Sequence, residues 1–161
     1  MIRRAVLTDL PEVVELSKMF FAEMRFSERG GKLDIDVIVE GYSRAIAEPD
    51  KLIFLVSENG GKVDGVMCVA IFNASFYFKD HRTAYEEVWH SDPRLSDFRR
   101  SKIMMQLLKA MEMELSKMGG MPFKLGTSTN PKYSAISEYV AKMGYEKAEE
   151  WFFKEIPPWA K

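Results

Sequence analysis

The chain has one cysteine, Cys68, so it closes no disulfide within itself and builds no cysteine-rich zinc site. No apolar run approaches the ~20 residues that a membrane-spanning helix needs. Neither sign of charge is in surplus. With 23 Lys and Arg against 24 Asp and Glu, the net charge is −1, and the overall field gives no reason to expect a nucleic acid or an anionic membrane as partner. The opening, IRRAVLTDLPEVVEL, places charges where a secretory signal would carry its apolar core. A cytoplasmic setting is the default expectation that remains. There is no internal repeat, linker or low-complexity stretch, and 161 residues suit a single domain over 1–161 with a sizeable core.

What is present is a regular alternation of elements. Residues 2–6 read as a short strand. Asp9-Leu10-Pro11-Glu12 has the spacing of a capping box, and Leu10, Val13, Val14, Ser17, Phe20, Phe21 and Met24 mark the buried face of the helix it opens. After a connection with Gly30-Gly31, Asp34 or Asp36 caps a second helix whose inner face is Val37, Ile38, Gly41, Tyr42, Ala45 and Ile46. Pro49 ends it. Residues 52–57 and 63–73 make a hairpin around Asn59-Gly60-Gly61-Lys62. The run VMCVAIF is apolar on both parities, so the second strand is expected at the centre of a sheet. Phe76, Tyr77 and Phe78, in the connection that follows, read either as a wall of a substrate pocket or as a lid on the core.

The rest is organised around residues 85–119: a strand, a loop rich in Arg and Lys, and a long amphipathic helix. Met104, Leu108, Met111, Leu115 and Met118 recur at spacings of four and three, with Ile103 and Leu107 beside them, and form one apolar stripe. That stripe reads as core, where methionine fills irregular gaps. The loop brings Arg94, Arg99, Arg100 and Lys102 to the start of the helix, where unpaired N–H groups and the macrodipole favour an anion. A phosphate-bearing ligand is the functional reading, and an ordinary charged loop before a helix is the other. Nucleic-acid binding by this patch is disfavoured, because acids interrupt it. Residues 122–127 are another strand, 132–143 a helix stopped by Gly144, and 145–156 a last aromatic strand. The order β-α-α-β-β-β-α-β-α-β calls for an α/β (α+β) mixed sheet with helices on both faces, its last strand-helix-strand forming a right-handed parallel pair.

In that order the chain resembles the GNAT acetyltransferase superfamily over its whole length, in particular the short GNAT-like proteins often encoded by phages. IRRAVLTDLPEVVEL resembles the family's first strand and helix, and LIFLVSENGGKVDGVMCVAIF its first hairpin. EEVWHSDP followed by FRRSKIMMQLLKAMEMELSKMGG resembles its cofactor strand, pyrophosphate loop and helix. SAISEYVAKMGYEKAEEWFFKEI resembles its terminal helix and last strand. The resemblance implies transfer of an acetyl group from acetyl-CoA to a primary amine of a small molecule or protein. It also implies a backbone donor at a strand bulge, which falls near Trp89, His90 and Ser91, to polarise the thioester. The pyrophosphate loop matches Arg99, Arg100, Ser101, Lys102, Ile103 and Met104. Both positions where the family carries a small residue hold long side chains here, so the charge of Lys102 stands in for backbone donors.

Glu86 and Glu87 lie on the cofactor strand and face opposite ways, so one of them looks into the cleft as general base. The alternative for both is a solvated strand face. His90, the one nearby group that titrates near neutrality, is either a site residue or a half-buried hydrogen-bonder. The position where the family often carries an acidic Tyr is Val140. Tyr139 is one residue earlier, about 100° round the helix, so water is the favoured proton donor to the thiolate. No metal is expected. A homodimer through the last strand is possible in this architecture. The competing reading is a catalytically degenerate GNAT-fold binding module, motivated by the altered loop and the absent Tyr.

Overall fold

The computed structural model describes residues 1–24, 31–73, 82–126 and 134–146. They fall in two compact units, Met1–Gly126 and Thr127–Lys161. The first unit is built on the hairpin of β2 (Leu52–Asn59) and β3 (Lys62–Asn73). Asn59 pairs with Lys62 across a two-residue turn, and Gly60 and Gly61 both take positive φ, 60° and 77°. That turn matches the twist of the strands it joins and is open to residues without a side chain. β1 (Ile2–Arg4) pairs antiparallel with β2 on one side. β4 (Arg82–Ser91) pairs antiparallel with β3 on the other. β5 (Phe123–Lys124) lies parallel to β4, giving a five-stranded mixed sheet in the order β1-β2-β3-β4-β5. β3 is central and buried without a break from Val63 to Val69, as its doubly apolar sequence requires.

Helices cover both faces. α1 (Leu10–Glu23) and α2 (Ile35–Ala47) pack over a core of Val13, Leu16, Tyr42, Ala45, Phe54, Val56, Val66 and Cys68. Asp34, the first of the two candidate caps, accepts the N–H groups of Asp36 and Val37. α3 (Asp97–Lys117) covers the opposite face, and its buried residues include Ile103, Met104, Leu107, Leu108, Met111 and Leu115, the stripe read from the sequence. It approaches β3 closely at Gly65, where a side chain would meet Ile103 and Leu107. α4 (Ser134–Lys142) is the helix of the second unit.

The capping box does not form. The Asp9 carboxylate turns away from α1 to accept two bonds from Arg3, at 2.7 and 2.8 Å, and the Val6 N–H at 2.8 Å. Glu12 reaches across to accept the Val63 N–H. A charged partner on β1 outcompetes the helix's own amides, because a bidentate guanidinium–carboxylate pair is stronger than a neutral N–H bond. The last strand is expected over 145–156; Tyr145 and Glu146 are not in a strand, and the rest of it, with its parallel pairing and the surface expected to pair in a homodimer, lies outside the described residues, as does the Phe76–Tyr77–Phe78 connection.

Candidate active site

β4 carries the irregularity on which the site is built. Cys68 opposes Val88 and Val69 opposes Glu86, so Glu87 is an extra residue, a β-bulge. A bulge bends the strand and leaves the extra residue outside the ladder. The expectation had put it three residues further on, near Trp89–Ser91. There the ladder is regular, with Met67 opposite Trp89, Val66 opposite His90 and Gly65 opposite Ser91. β5 pairs with β4 only over Ala84–Tyr85, one residue short of Glu86.

The bulge sends the two glutamates to different environments. Glu87 is exposed and lines a cleft of about 390 Å³ between α1, α2 and the sheet. Phe20 and Phe21 of α1, Val37, Ile38, Tyr42 and Arg44 of α2, and Cys68, Val88 and His90 of the sheet share that lining. Glu86 is half-buried and accepts the Gly126 N–H at 3.2 Å beyond the end of β5. Burial pushes its carboxyl up to about 7; the Gly126 N–H opposes this and the neighbouring Glu87 charge adds to it. Their opposite facing agrees with the expectation, and Glu87 is the one that meets the cleft.

His90 is deeply buried at the base of the cleft, stacked on Phe20 with ring centroids 4.5 Å apart and planes 6° from parallel. Neither ring nitrogen has a hydrogen-bond partner among the described residues. Burial pushes the imidazole down to about 4, the Arg100 charge pushes the same way, and Glu23 opposes both. His90 is therefore neutral near pH 7, one nitrogen donating and the other accepting. Trp89 and Ser91 point to the other face. The Trp89 indole donates to the Met104 carbonyl at 3.1 Å and ties β4 to α3, while the Ser91 hydroxyl is buried without a partner. Cys68 is packing, and burial pushes its thiol up to about 12.

The anion-binding stretch sits differently from the sequence match. α3 already begins at Asp97, and the Arg100 N–H bonds to the Ser96 carbonyl at 2.9 Å. From Arg100 onward the amides belong to the helix. Ile103 and Met104 are core side chains. Arg100 is buried in a two-bond pair with Glu23, at 2.8 and 2.9 Å. A grip running through Arg100, Ile103 and Met104 does not fit this geometry, because the helix starts earlier than a glycine-bearing loop would allow. The open donors are the first-turn N–H groups of Asp97, Phe98 and Arg99, which Ser96 does not cap with its side chain. Arg99 stands beside them, 3.6 Å from Asp64, and Ser101 and Lys102 are exposed on the next turn. Asp97 puts a carboxylate in that same first turn. Arg94 is held by Asp92, whose carboxylate also accepts the Arg94 N–H. Tyr139 and Val140 lie on α4 in the second unit, Tyr139 exposed and Val140 buried. Among the described residues no group of three or more His, Cys, Asp or Glu is placed to hold a metal, and no helix is long and apolar enough to cross a membrane.

Sequence reasoning assigned Phe20, Phe21, Ile38 and Tyr42 to helix faces directed at the core and passed over Arg44. A cleft wall and a core wall carry the same apolar periodicity, so no local signal separates them.

No protein-family model matches the sequence, and no curated protein sequence matches it. Solved structures do. The aminoglycoside acetyltransferase AAC(6')-Iy, in complex with a bisubstrate analogue of coenzyme A and an acetylneamine, superposes with a TM-score of 0.71 at 19% identity, over 98% of this chain and 97% of that one. Aminoglycoside acetyltransferase meta-AAC0020, from an uncultured soil metagenomic sample and bound to sisomicin, gives 0.69 at 16% identity, over 98% and 96%. A predicted acetyltransferase from Clostridium acetobutylicum, with acetyl-CoA, gives 0.65 at 17% identity, over 96% and 95%. Likeness at such identities speaks to the fold, and the fold of this chain is that of the GNAT acetyltransferases.

Proposed function

We propose that this protein transfers an acetyl group from acetyl-CoA to a primary amine of a small molecule. The observation that carries the reading is the bulge at Glu87: it bends β4 where β5 stops pairing with it and turns a carboxylate into the cleft. The fold shared with acetyltransferases supports the same reading. The first-turn N–H groups of α3, with Arg99 and Lys102, are the residues that would hold the diphosphate of the co-substrate, whose thioester supplies an activated acetyl group. The backbone at the bulge, outside the ladder, offers an N–H to the thioester oxygen as negative charge develops there. Glu87, directly or through water, takes the proton that the ammonium must lose before its nitrogen can attack. The C–N bond forms, the C–S bond breaks, and the thiolate takes a proton from water.

Release of free thiol from acetyl-CoA in the presence of primary amines is the direct test. Glu87→Gln is expected to lower kcat about 10²- to 10⁴-fold, the range of general acid–base contributions. An unchanged rate removes Glu87 from the chemistry. Acetyl-CoA at 100 times its Kd should stabilise the fold by about 2.7 kcal/mol, a shift of roughly 5–11 °C in Tm.

A second reading, a binding module that has lost catalysis, has its own support. The arginines around the start of α3 are each engaged by an acid of the same chain, Arg94 by Asp92, Arg99 by Asp64 and Arg100 by Glu23. No thermal stabilisation by millimolar acetyl-CoA would favour this reading over the first.

A further inference from the structure

Acceptors that carry several positive charges need several carboxylates to receive them, because each ammonium taken from water without a partner is costly. The cleft does not offer that. Among its described lining residues Glu87 is the only acid, and Arg44 of α2 is a cation that opposes it. The remaining polar groups add no negative charge. The Ser17 hydroxyl donates to the Val13 carbonyl at 3.0 Å and receives the Tyr42 hydroxyl at 3.1 Å, so both are engaged within the fold. The walls are aromatic and aliphatic, led by Phe20, Phe21, Val37 and Ile38. A volume of about 390 Å³ suits one small ligand. His90 also borders the cleft, its two ring nitrogens buried and without a partner among the described residues.

We propose that the cleft selects a lipophilic monoamine: one ammonium placed against Glu87 and an aromatic or aliphatic body against the α1 and α2 side chains. This sets the chain apart from the aminoglycoside-binding proteins whose fold it shares. Uptake follows from charge matching at one point and apolar burial elsewhere, and a polycation is disfavoured because Arg44 repels it and no second acid among the described lining residues answers it. The inference rests on reading this cleft as the acceptor site of the transferase, but it is tested without acetyl-CoA, so the two fail separately.

Calorimetric titration of the purified protein with phenethylamine, tyramine, 2-phenylethanol and sisomicin is the experiment. Phenethylamine and tyramine are each expected to bind at least tenfold tighter than sisomicin. Glu87→Gln should weaken phenethylamine about tenfold and leave 2-phenylethanol unchanged. Val37→Glu, at an exposed position where folding is not at stake, should narrow the gap between phenethylamine and sisomicin. Sisomicin binding as tightly as phenethylamine overturns the proposal. So does amine binding indifferent to Glu87→Gln, or no saturable phenethylamine binding at millimolar concentration. Tight phenethylamine binding with no acetyl transfer would sustain the proposal while sinking the transferase.

Discussion

On the α3 side of β4, Trp89 is tied to the helix by its indole N–H and Ser91 faces Gly65 in a packed layer. On the α1–α2 side of the same strand, Glu87, Val88 and His90 line a cavity. One face is filled by a single long helix whose apolar stripe runs its whole length. The other is covered by two shorter helices that leave a gap between them and the sheet. The lesson is that a strand can be structural on one side and available for chemistry on the other, and that a one-residue bulge decides which side a given carboxylate serves. Glu86 and Glu87 are neighbours in the chain, yet one sits half-buried against Gly126 and the other meets solvent and the cleft.

The largest effect expected from breaking this comparison is at Glu23. It lies at the end of α1 and holds the buried Arg100 of α3, joining the helices of the two faces. Glu23→Ala removes the carboxylate that makes two bonds to a buried guanidinium, and urea unfolding should show a loss of up to about 3–5 kcal/mol. A loss under about 1 kcal/mol would mean that the pair is solvated and joins nothing.

Next comes the pH dependence, where the two faces pull in opposite directions. The folded-state pKa of His90, about 4, lies below the ordinary imidazole value of 6.5. The unfolded chain therefore binds more protons in that window, and stability falls as pH drops from 6.5 towards 4. Glu86, raised from 4.5 to about 7, holds its proton better when folded. Its contribution is present below 4.5 and lost as pH rises through 7. Each limb is on the order of a few kcal/mol at most. Denaturation midpoints across pH should lose the acid limb in His90→Phe and the neutral limb in Glu86→Gln. A variant that keeps its limb would show that burial does not govern that group.

The smallest effect tests the packed face alone. In Gly65→Ala the new β-carbon would stand 2.5 Å from Ile103 Cγ2 and 3.2 Å from Leu107 Cδ1. Both contacts are with side-chain atoms, so part of the strain relaxes, and a cost of about 1–3 kcal/mol is expected by thermal unfolding. The cleft lies on the other side, so amine binding should not change.

Much of the fold was legible because its signals are local and periodic. The Met-rich stripe of α3, the Gly60-Gly61 turn and the doubly apolar β3 each state their environment in consecutive residues. The site was legible in part. That Glu86 and Glu87 would face apart follows from the pleat, but which one meets the cleft depends on the bulge opposite Cys68, and a bulge has no required residue type. Asp9 has the spacing of a cap but partners Arg3, because a guanidinium brought in from β1 lies outside the helix whose spacing the rule reads. Arg100 and Met104 matched an anion-binding pattern and turned out to be an ion pair and core, because α3 begins at Asp97 rather than after the loop that the pattern assumed.

The sequence by itself determined the element order, the central place of β3 and the stripe on which α3 packs, since hydrophobic period and turn chemistry act over a few residues. Only the tertiary structure decided where β4 bends, which acids capture which arginines, and that the α1 and α2 side chains wall a cavity instead of closing over it. Those outcomes depend on groups far apart in the chain competing for the same partner or the same space, and no local pattern records who wins.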